Sequence, residues 1–447
     1  MNVKFDPAQV QCFEFVRRGF DPSSGRVELV WRLILPTSEL EFTEVFLLPG
    51  PRAAIEGREE AIEAALDLLH WVAGVSYWKV ACRGGLRFAT RAPDVFQARV
   101  LTDLYRNGLA EMAWTNGLDA PWWPEFPGRG SSAAAHELGL GGRALVATGG
   151  GKDSLVALSR IQALGLPHLT VQVGSAARIA ASVADASPEH RVIQRRLAPE
   201  LAQLDGALNG HVPITAINAA VLILAALLWD CDAVVFANER SADAPQLVRA
   251  DGLPVNHQYA KSFEFEASLA AWVKRSIAID LDVFSLLRRD TELAICREFA
   301  ALAPFHERFS SCNRNFHLDG PRTDRWCLNC PKCHFVYLCL APFLDPERMI
   351  RIFGADLLAD AARLPGFAEL LEIDGHRPFE CVGEAREAAA AVGLLAQHPA
   401  WRDHVCVREL AARLAGRAEV DAAPLFEPAG PHLIPERFLG DAHRRPG

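Results

Sequence analysis

Hydrophobic and polar positions alternate along the first fifty residues of the chain. Apolar side chains stand at Phe13 and Phe15 and at every second position from Val27 to Leu33, and the run 21–25 between them is rich in turn-forming residues. This spacing of two is typical of strands with one buried face, and the interruption is typical of a turn. It predicts a β-hairpin near the start of the chain.

A helical spacing replaces this alternation after residue 51. Apolar side chains then recur every three or four positions, at Ile62, Leu66, Leu69 and Val72. Acidic residues stand at the start of this stripe, where the helix dipole favours them. Residues 94–113 follow the same spacing. We therefore expect an N-terminal α+β domain over residues 1–120, followed by a linker rich in proline, glycine and serine over residues 121–142.

From residue 143 short apolar runs alternate with helical patterns. The predicted strands and helices are 144–148, 154–164, 169–174, 214–229 and 232–237. Such alternation predicts an α/β fold, a parallel sheet with helices on both faces, which we assign to residues 143–340. Alanine-rich helical patterns at 345–357 and 385–395 predict a helical C-terminal extension over residues 341–447.

Composition and charge narrow the functional class. The 447 residues carry a net charge of −9, which argues against broad binding to nucleic acid. The N-terminus lacks a basic region followed by an apolar stretch, so no signal peptide is expected. The longest apolar segment, 214–229, is shorter than the ~20 residues of a membrane span and includes Thr215 and Asn218. We expect a cytoplasmic protein without a membrane segment.

The loop between the first strand and helix of this alternation has the composition of a phosphate site. It reads Thr-Gly-Gly-Gly-Lys-Asp-Ser from Thr148 to Ser154. Glycines let backbone N–H groups turn toward an anion, and the start of a helix adds free N–H groups and a positive dipole end. A Walker A loop is excluded by Asp153 and Val146, and a dinucleotide fingerprint by Ser154.

The loop instead resembles the PP-loop of ATP pyrophosphatases, whose pattern is Ser-Gly-Gly-x-Asp-Ser. Gly149 stands here in place of the first serine and removes one hydroxyl contact. The resemblance implies a PP-loop sheet domain that binds ATP with Mg²⁺ and splits it between the α- and β-phosphates. It further implies that Lys152 adds charge toward the phosphates and that Asp153 coordinates the magnesium. The phosphates would be held by Gly149, Gly150, Gly151 and Ser154.

Two polar segments are further candidates for the site. The run from Ala237 to Asp243 lies at the end of a predicted strand of the same sheet, and ligands bind at the carboxyl ends of such strands. A solvated loop is the alternative. Farther on, His257, Tyr259 and Lys261 place three proton-transferring side chains within five residues. A purely structural histidine is the alternative there.

Four cysteines have the spacing of a metal site. Two consecutive C-x-x-C steps, with a fourth ligand arriving from upstream, match a closed tetrahedral Cys₄ set, formed by Cys312, Cys327, Cys330 and Cys333. Structural Zn²⁺ is the favoured occupant, an iron–sulfur cluster is the alternative, and His334 is a possible substitute ligand.

Taken together, these segments resemble the peptidoglycan-precursor epimerases of the MurL type over nearly the whole chain. The resemblance rests on the PP-loop-like segment, the cysteine cluster and the segments 238–242, 255–259 and 378–383. It implies ATP-dependent inversion of the terminal L-glutamate of UDP-N-acetylmuramoyl-L-alanyl-L-glutamate through an acyl-adenylate, with release of AMP and pyrophosphate. The protein would serve cell-wall biosynthesis.

The resemblance also suggests roles for individual side chains. The base that removes the α-proton is expected among Glu239, His257 and Lys261. Substrate contacts are expected from Asn238, Arg240, Tyr259 and Arg314. A two-cysteine racemase mechanism is less attractive, because metal binding accounts for the clustered cysteines. Two other functions remain open, namely an ATP-dependent synthase or thiolase acting on a base or tRNA, and a nucleotide-binding scaffold without catalysis.

Overall fold

A nine-stranded mixed sheet runs through the computed structural model of the chain. Its strands are named below in chain order, together with four short strands that lie outside it. The structure describes residues 3–50, 55–187, 189–316, 325–373, 375–418 and 420–440.

The described residues form thirteen strands. They are β1 (Val3–Lys4), β2 (Cys12–Asp21), β3 (Arg26–Ile34), β4 (Glu39–Leu47), β5 (Gly85–Phe88), β6 (Ala144–Ala147), β7 (His168–Val173), β8 (His190–Arg196), β9 (Leu204–Asp205), β10 (Ala233–Phe236), β11 (Leu247–Val248), β12 (Pro254–Val255) and β13 (Asp282–Ser285). The large sheet has the order β13-β10-β6-β7-β8-β4-β3-β2-β5.

Fourteen α-helices accompany these strands in the described residues. They are α1 (Glu59–Ala73), α2 (Val75–Trp78), α3 (Val95–Gly108), α4 (Ala110–Thr115), α5 (Lys152–Ala163), α6 (Ala177–Val183), α7 (Ile214–Leu228), α8 (Phe263–Ser276), α9 (Glu292–Ala300), α10 (Pro331–Leu340), α11 (Pro346–Phe353), α12 (Leu364–Glu369), α13 (Ala385–Gln397) and α14 (Val405–Leu414).

The half of the sheet from β13 to β8 is parallel, as the alternation of strands and helices predicts. The central strands β6 and β10 are almost entirely buried, which explains their unbroken apolar sequences. All of the strands and helices predicted between residues 144 and 237 are present, with ends shifted by one or two residues. Strands β8 and β13, at positions where the sequence pattern predicts none, extend this half on either side.

The N-terminal strands continue the same sheet. The predicted hairpin is present as β2 and β3, and β4 extends it to a three-stranded antiparallel meander. Strand β4 then pairs antiparallel with β8, so the meander and the parallel half share one set of backbone hydrogen bonds. The result is an α/β fold whose central sheet is mostly parallel.

Residues 121–142, predicted as a linker, contain no strand or helix in the structure. Trp122 is buried, its indole N–H donates to the Arg106 carbonyl at 2.9 Å, and its own carbonyl accepts from Trp78 at 3.0 Å. This tryptophan therefore holds the segment against the N-terminal helices α2 and α3.

The apolar segment 214–229 forms α7, which packs against α1 within the core. In the parts of the chain that the structure describes, we find no helix with the length and hydropathy needed to cross a bilayer.

Candidate functional site

The glycine-rich segment forms a tight loop between β6 and α5. Gly150 has φ +74°, a left-handed conformation that a side chain disfavours. A Cβ added at Gly149 would meet no described atom within 4 Å. The loop is therefore open at its first glycine, and Lys152 and Asp153 occupy the first turn of the helix.

A second segment covers the other side of this loop. The Ser310 amide donates to the Gly150 carbonyl at 3.1 Å, and a Cβ added at Gly151 would come within 2.9 Å of the Ser311 hydroxyl. That hydroxyl is buried and has no hydrogen-bond partner among the described residues. Ser311 thus presents an unused hydroxyl group to the loop, and the sequence patterns alone do not identify it.

Beneath the loop lies a buried network of charges. The Lys152 ammonium is fully buried and forms ion pairs with Asp153 and Glu292. The other oxygen of Glu292 accepts from Lys332 Nζ at 3.0 Å. Burial opposes ionisation of Glu292, but the two ammonium groups outweigh it and lower the pKa of that carboxyl. In this arrangement Lys152 holds the Asp153 carboxylate at the start of α5.

Two of the predicted proton-transfer residues lie beside this network. Glu239 follows β10, the strand next to β6, and is buried. Burial raises the pKa of its carboxyl, and the nearby carboxylates of Glu292 and Asp153 add to the increase. Lys261 is partly exposed. Burial disfavours its charged form, but Cys381, Glu239 and Asp153 raise the pKa of its ammonium group.

The third predicted proton-transfer residue, His257, belongs to a hydrogen-bonded chain. Its Nδ1 lies 2.5 Å from Glu111 Oε2, and its ring also bonds to the Cys381 thiol. Burial opposes protonation of the ring, yet these two partners raise the pKa of His257 to about 10. The His211 ring packs against it with centroids 4.1 Å apart.

Glu111, His211 and His257 also bring possible ligand atoms within 4.8 Å of one another. The 2.5 Å separation of His257 Nδ1 and Glu111 Oε2 is a hydrogen-bond distance. Two ligands at ~2.0–2.2 Å from one tetrahedral ion would stand about 3.3 Å or more apart. We therefore interpret these residues as a hydrogen-bonded group.

Segment 377–383 closes this side of the site. The Gln258 amide donates to the Val382 carbonyl at 3.1 Å, and the Lys332 backbone N–H donates to Glu380 Oε2 at 3.0 Å. A Cβ added at Gly383 would meet the Glu292 side chain at 3.1 Å, so the backbone of the segment lies directly against the buried network. Burial and nearby Cys330 raise the pKa of Glu380 to about 7.

The four cysteines predicted as a metal site converge. Their sulfur atoms all lie within 4.8 Å of one another, and Cys333 Sγ lies 3.4 Å from Cys330 Sγ and 3.8 Å from Cys327 Sγ. Tetrahedral zinc with Zn–S bonds of ~2.3 Å places its sulfurs about 3.8 Å apart. The donor set therefore fits zinc, with Cys312 completing it.

His334, the possible substitute ligand, is not in this group. Its ring packs on Phe367 with centroids 4.9 Å apart and lies against Gly366. The cluster adjoins the loop at two points, because Cys312 follows Ser311 and because Cys330 caps α10, whose first turn carries Lys332.

The predicted substrate contacts are dispersed. Asn238 is held through its backbone by Ser285, and Arg240 lies near Gly430. The Tyr259 hydroxyl contacts Glu264 at 3.4 Å and faces α3. Arg314 is exposed. None of the described contacts of these four residues joins them to the buried network, and their substrate roles stay predictions.

Several site residues were not identified by sequence reasoning. Glu292 and Lys332 carry the buried network, and Glu111 and Cys381 flank His257. Lys332 stands inside the C-x-x-C motif and Cys381 inside the distinctive segment 378–383, so both had a local signal. Glu111 and Glu292 had none, because His257 lies 146 positions from Glu111, and Lys152 and Lys332 lie 140 and 40 positions from Glu292.

Comparison with known proteins identifies the family of this chain. The family model described as "MurL N-terminal domain" matches residues 4–286, and that described as "MurL C-terminal domain" matches residues 308–424. The chain belongs to the MurL family. The two matches together include the loop, Lys152, Lys332, the cysteine cluster and segment 377–383, and Glu292 lies between the two matched ranges.

Relatives within the MurL family are similar over nearly their whole length. A protein of Xanthomonas oryzae pv. oryzae is 41% identical over 439 residues, covering 96% of both chains. Proteins of Salinispora tropica and a Micromonospora species are 40% and 39% identical, each over 96% of this chain and over 95% and 97% of their own. All three are named UDP-N-acetyl-alpha-D-muramoyl-L-alanyl-L-glutamate epimerase.

Proposed function

We propose that this chain is an isomerase that inverts the terminal L-glutamate of UDP-N-acetylmuramoyl-L-alanyl-L-glutamate, with ATP as second substrate. The products are the D-glutamate epimer, AMP and pyrophosphate. The proposal includes a cytoplasmic location and a role in peptidoglycan synthesis. The relatives' names support an epimerase over the alternative of a synthase or thiolase acting on a base or tRNA.

The need for ATP follows from the chemistry of the glutamyl residue. Its ionised α-carboxylate strongly disfavours a carbanion on the neighbouring carbon. Transfer of AMP to the carboxylate removes that negative charge and makes the α-proton much more acidic. A base then removes the proton, a proton returns on the other face, and hydrolysis of the acyl-adenylate releases the product.

The loop supports the assignment of a PP-loop fold and of a triphosphate site. Gly149 is open to an incoming phosphate, Gly150 has a left-handed backbone conformation, and the unpaired Ser311 hydroxyl faces the same loop. Ser154 and Gly151 would complete the phosphate contacts. Asp153, partly exposed and held by Lys152, is suited to bind Mg²⁺.

One observation carries the proposal. Asp153 of the loop lies in the same charge network as Glu239 and Lys261, so a phosphate site and proton-transfer groups occupy one region. This is the arrangement that carboxylate activation followed by proton transfer requires.

Incubation of the full chain with UDP-N-acetylmuramoyl-L-alanyl-L-glutamate, ATP and Mg²⁺ tests the proposal. We expect AMP, pyrophosphate and D-glutamate in the hydrolysed product. The Asp153→Asn variant, with an unchanged unfolding transition, should form none of them. If the wild-type chain releases no AMP and all glutamate stays L, the proposal is wrong.

We also propose that the Cys312, Cys327, Cys330 and Cys333 cluster holds structural Zn²⁺. The sulfur separations support this assignment. Four protein ligands leave no open position, so the metal would stabilise the segments that carry Ser311 and Lys332 and would take no part in the reaction.

A further inference from the structure

Cys381 lies outside the metal cluster and at the centre of the charged site. It is partly exposed, unlike the buried Cys296 and Cys339 nearby. Its thiol bonds to His257, which in turn bonds to Glu111. A cysteine, a histidine and an orienting carboxylate in this order form an activated thiolate group.

The charges around Cys381 are mainly positive. Burial alone would raise the pKa of its thiol, but Lys261 and His257, with Lys332 behind them, lower it to about 5. The neighbouring carboxyl of Glu380 opposes them in part. At neutral pH the pair is therefore a thiolate beside an imidazolium, and each group stabilises the charge of the other.

This pair faces the region where we place the activated glutamate. The charges of both Cys381 and Asp153 raise the pKa of the Lys261 ammonium group. Gly383, two residues beyond Cys381, lies against Glu292. A substrate carboxylate brought to the loop would therefore lie close to segment 377–383. The two-cysteine mechanism is less attractive for the clustered cysteines, because metal binding accounts for them, but Cys381 is not one of those cysteines.

We propose, building on the epimerase function above, that the Cys381 thiolate accepts the α-proton of the activated glutamyl residue. The Cα–H bond breaks, an S–H bond forms, and the electron pair moves onto the acyl oxygen to give an enolate. The Lys261 ammonium protonates the opposite face of the α-carbon, and the enolate electron pair forms the new Cα–H bond. The thiol then returns its proton to the Lys261 amine, which restores both groups.

Two measurements in D₂O separate this step from activation. Substrate-dependent exchange of labelled pyrophosphate into ATP reports carboxylate activation, and deuterium incorporation at the glutamyl α-carbon reports proton removal. We expect Cys381→Ala to retain pyrophosphate exchange and to lose α-deuteration by a factor of about 10² to 10⁴, the usual contribution of a positioned base. Cys12→Ala, at a partly exposed cysteine on β2, serves as the matched control and should retain both.

The outcomes are distinguishable. Wild-type α-deuteration that persists in Cys381→Ala overturns the proposal and leaves the epimerase function standing, whereas absence of pyrophosphate exchange in the wild type overturns that function itself. A covalent glutamyl adduct on Cys381, detected by mass spectrometry of the quenched wild-type reaction, would show a nucleophile in place of a base and also overturns it. If Cys381→Ala loses pyrophosphate exchange as well, Cys381→Ser is the deciding variant. Retained pyrophosphate exchange without α-deuteration in Cys381→Ser supports the proposal, and loss of both contradicts it.

Discussion

Lys332 and Glu292 form an ion pair of 3.0 Å that connects the cysteine cluster to the glycine-rich loop. Lys332 lies between two cluster cysteines, and Glu292 also pairs with Lys152 at the start of α5. Both partners are buried, so neither charge can be solvated if the other is lost.

Removal of this cation should therefore destabilise the fold. We expect Lys332→Met to lower the free energy of unfolding by roughly 3–5 kcal/mol, the usual cost of breaking a buried pair. Lys274→Met is the control, because the Lys274–Asp282 pair is partly exposed to solvent and should contribute at most about 1 kcal/mol. Denaturant titration of both variants measures the difference, and equal losses would contradict the prediction.

The cysteine cluster should couple metal content to nucleotide binding. Cys330→Ser/Cys333→Ser should lose bound zinc, unfold at lower temperature and bind ATP more weakly, because the segments carrying Ser311 and Lys332 lose their common anchor. Elemental analysis, thermal unfolding and ATP titration provide the three readouts. Cys406→Ser, a buried cysteine of α14 outside the cluster, should keep its zinc. Retained zinc in the double variant would refute the assignment.

The Ser311 hydroxyl should contribute to ATP affinity. A hydrogen bond to a charged group is worth about 1.5–3 kcal/mol, so Ser311→Ala should raise the Kd for ATP by about tenfold or more. Ser268→Ala, which removes an exposed hydroxyl on α8, should leave it unchanged. Calorimetric titration with Mg²⁺–ATP distinguishes the two, and an unaltered Kd in Ser311→Ala would exclude the contact.

The first two glycines of the loop should differ in how well they tolerate a side chain. Gly149→Ser restores the hydroxyl of the PP-loop pattern in open space and should change stability by less than about 0.5 kcal/mol. Gly150→Ala imposes a side chain at φ +74° and should cost about 1–2 kcal/mol. Thermal or denaturant unfolding of both variants tests the order, which the reverse result would contradict.

The reactivity of Cys381 should have an unusual pH dependence. A thiol pKa of about 5 keeps the thiolate populated down to that pH, so inactivation by iodoacetamide should stay fast from pH 8 to pH 6 and decline below about 5. Glu111→Gln removes a charge that raises the pKa of His257. The imidazolium is then less stable and the thiol pKa rises. The rate at pH 6 should fall about twofold for the first unit of that rise and more steeply beyond it, approaching about tenfold per unit. An ordinary profile centred near pH 8.5 in the wild type would contradict this reading of the site.

The elements predicted correctly from the sequence are those encoded by local spacing. Strand β6, helix α5 and the cysteine cluster each depend on residues close together in the chain, with Cys312 the farthest. Strand β8 was missed because its exposed and half-buried positions lack a regular alternation. Its partner β4 lies some 150 positions earlier, and no local pattern records such a pairing.

The site itself was predicted in part for the same reason. Lys152 and Asp153 follow from the loop motif, and Glu239 follows from the rule on strand ends. Lys261 was a candidate because it stands near His257 and Tyr259 in the chain. The structure brings Lys152, Asp153, Glu239 and Lys261 into one charge network. Cys381 was missed because the sequence analysis considered only the clustered cysteines and assigned them to metal binding. The segment 378–383 that contains Cys381 had been identified as distinctive, but the residue itself had no assigned role. Only the fold shows that it stands apart from the other thiols and beside two cations.

The pairing of β4 with β8 makes the N-terminal meander a covering for the edge of the parallel sheet. A chain shortened to residues 143–447 would leave the backbone N–H and C=O groups along that side of β8 without partners, on a strand that other chains could extend. Fragments of this protein should therefore associate through β8. Crystallographic or binding work on residues 143–447 requires the first fifty residues of the chain as well.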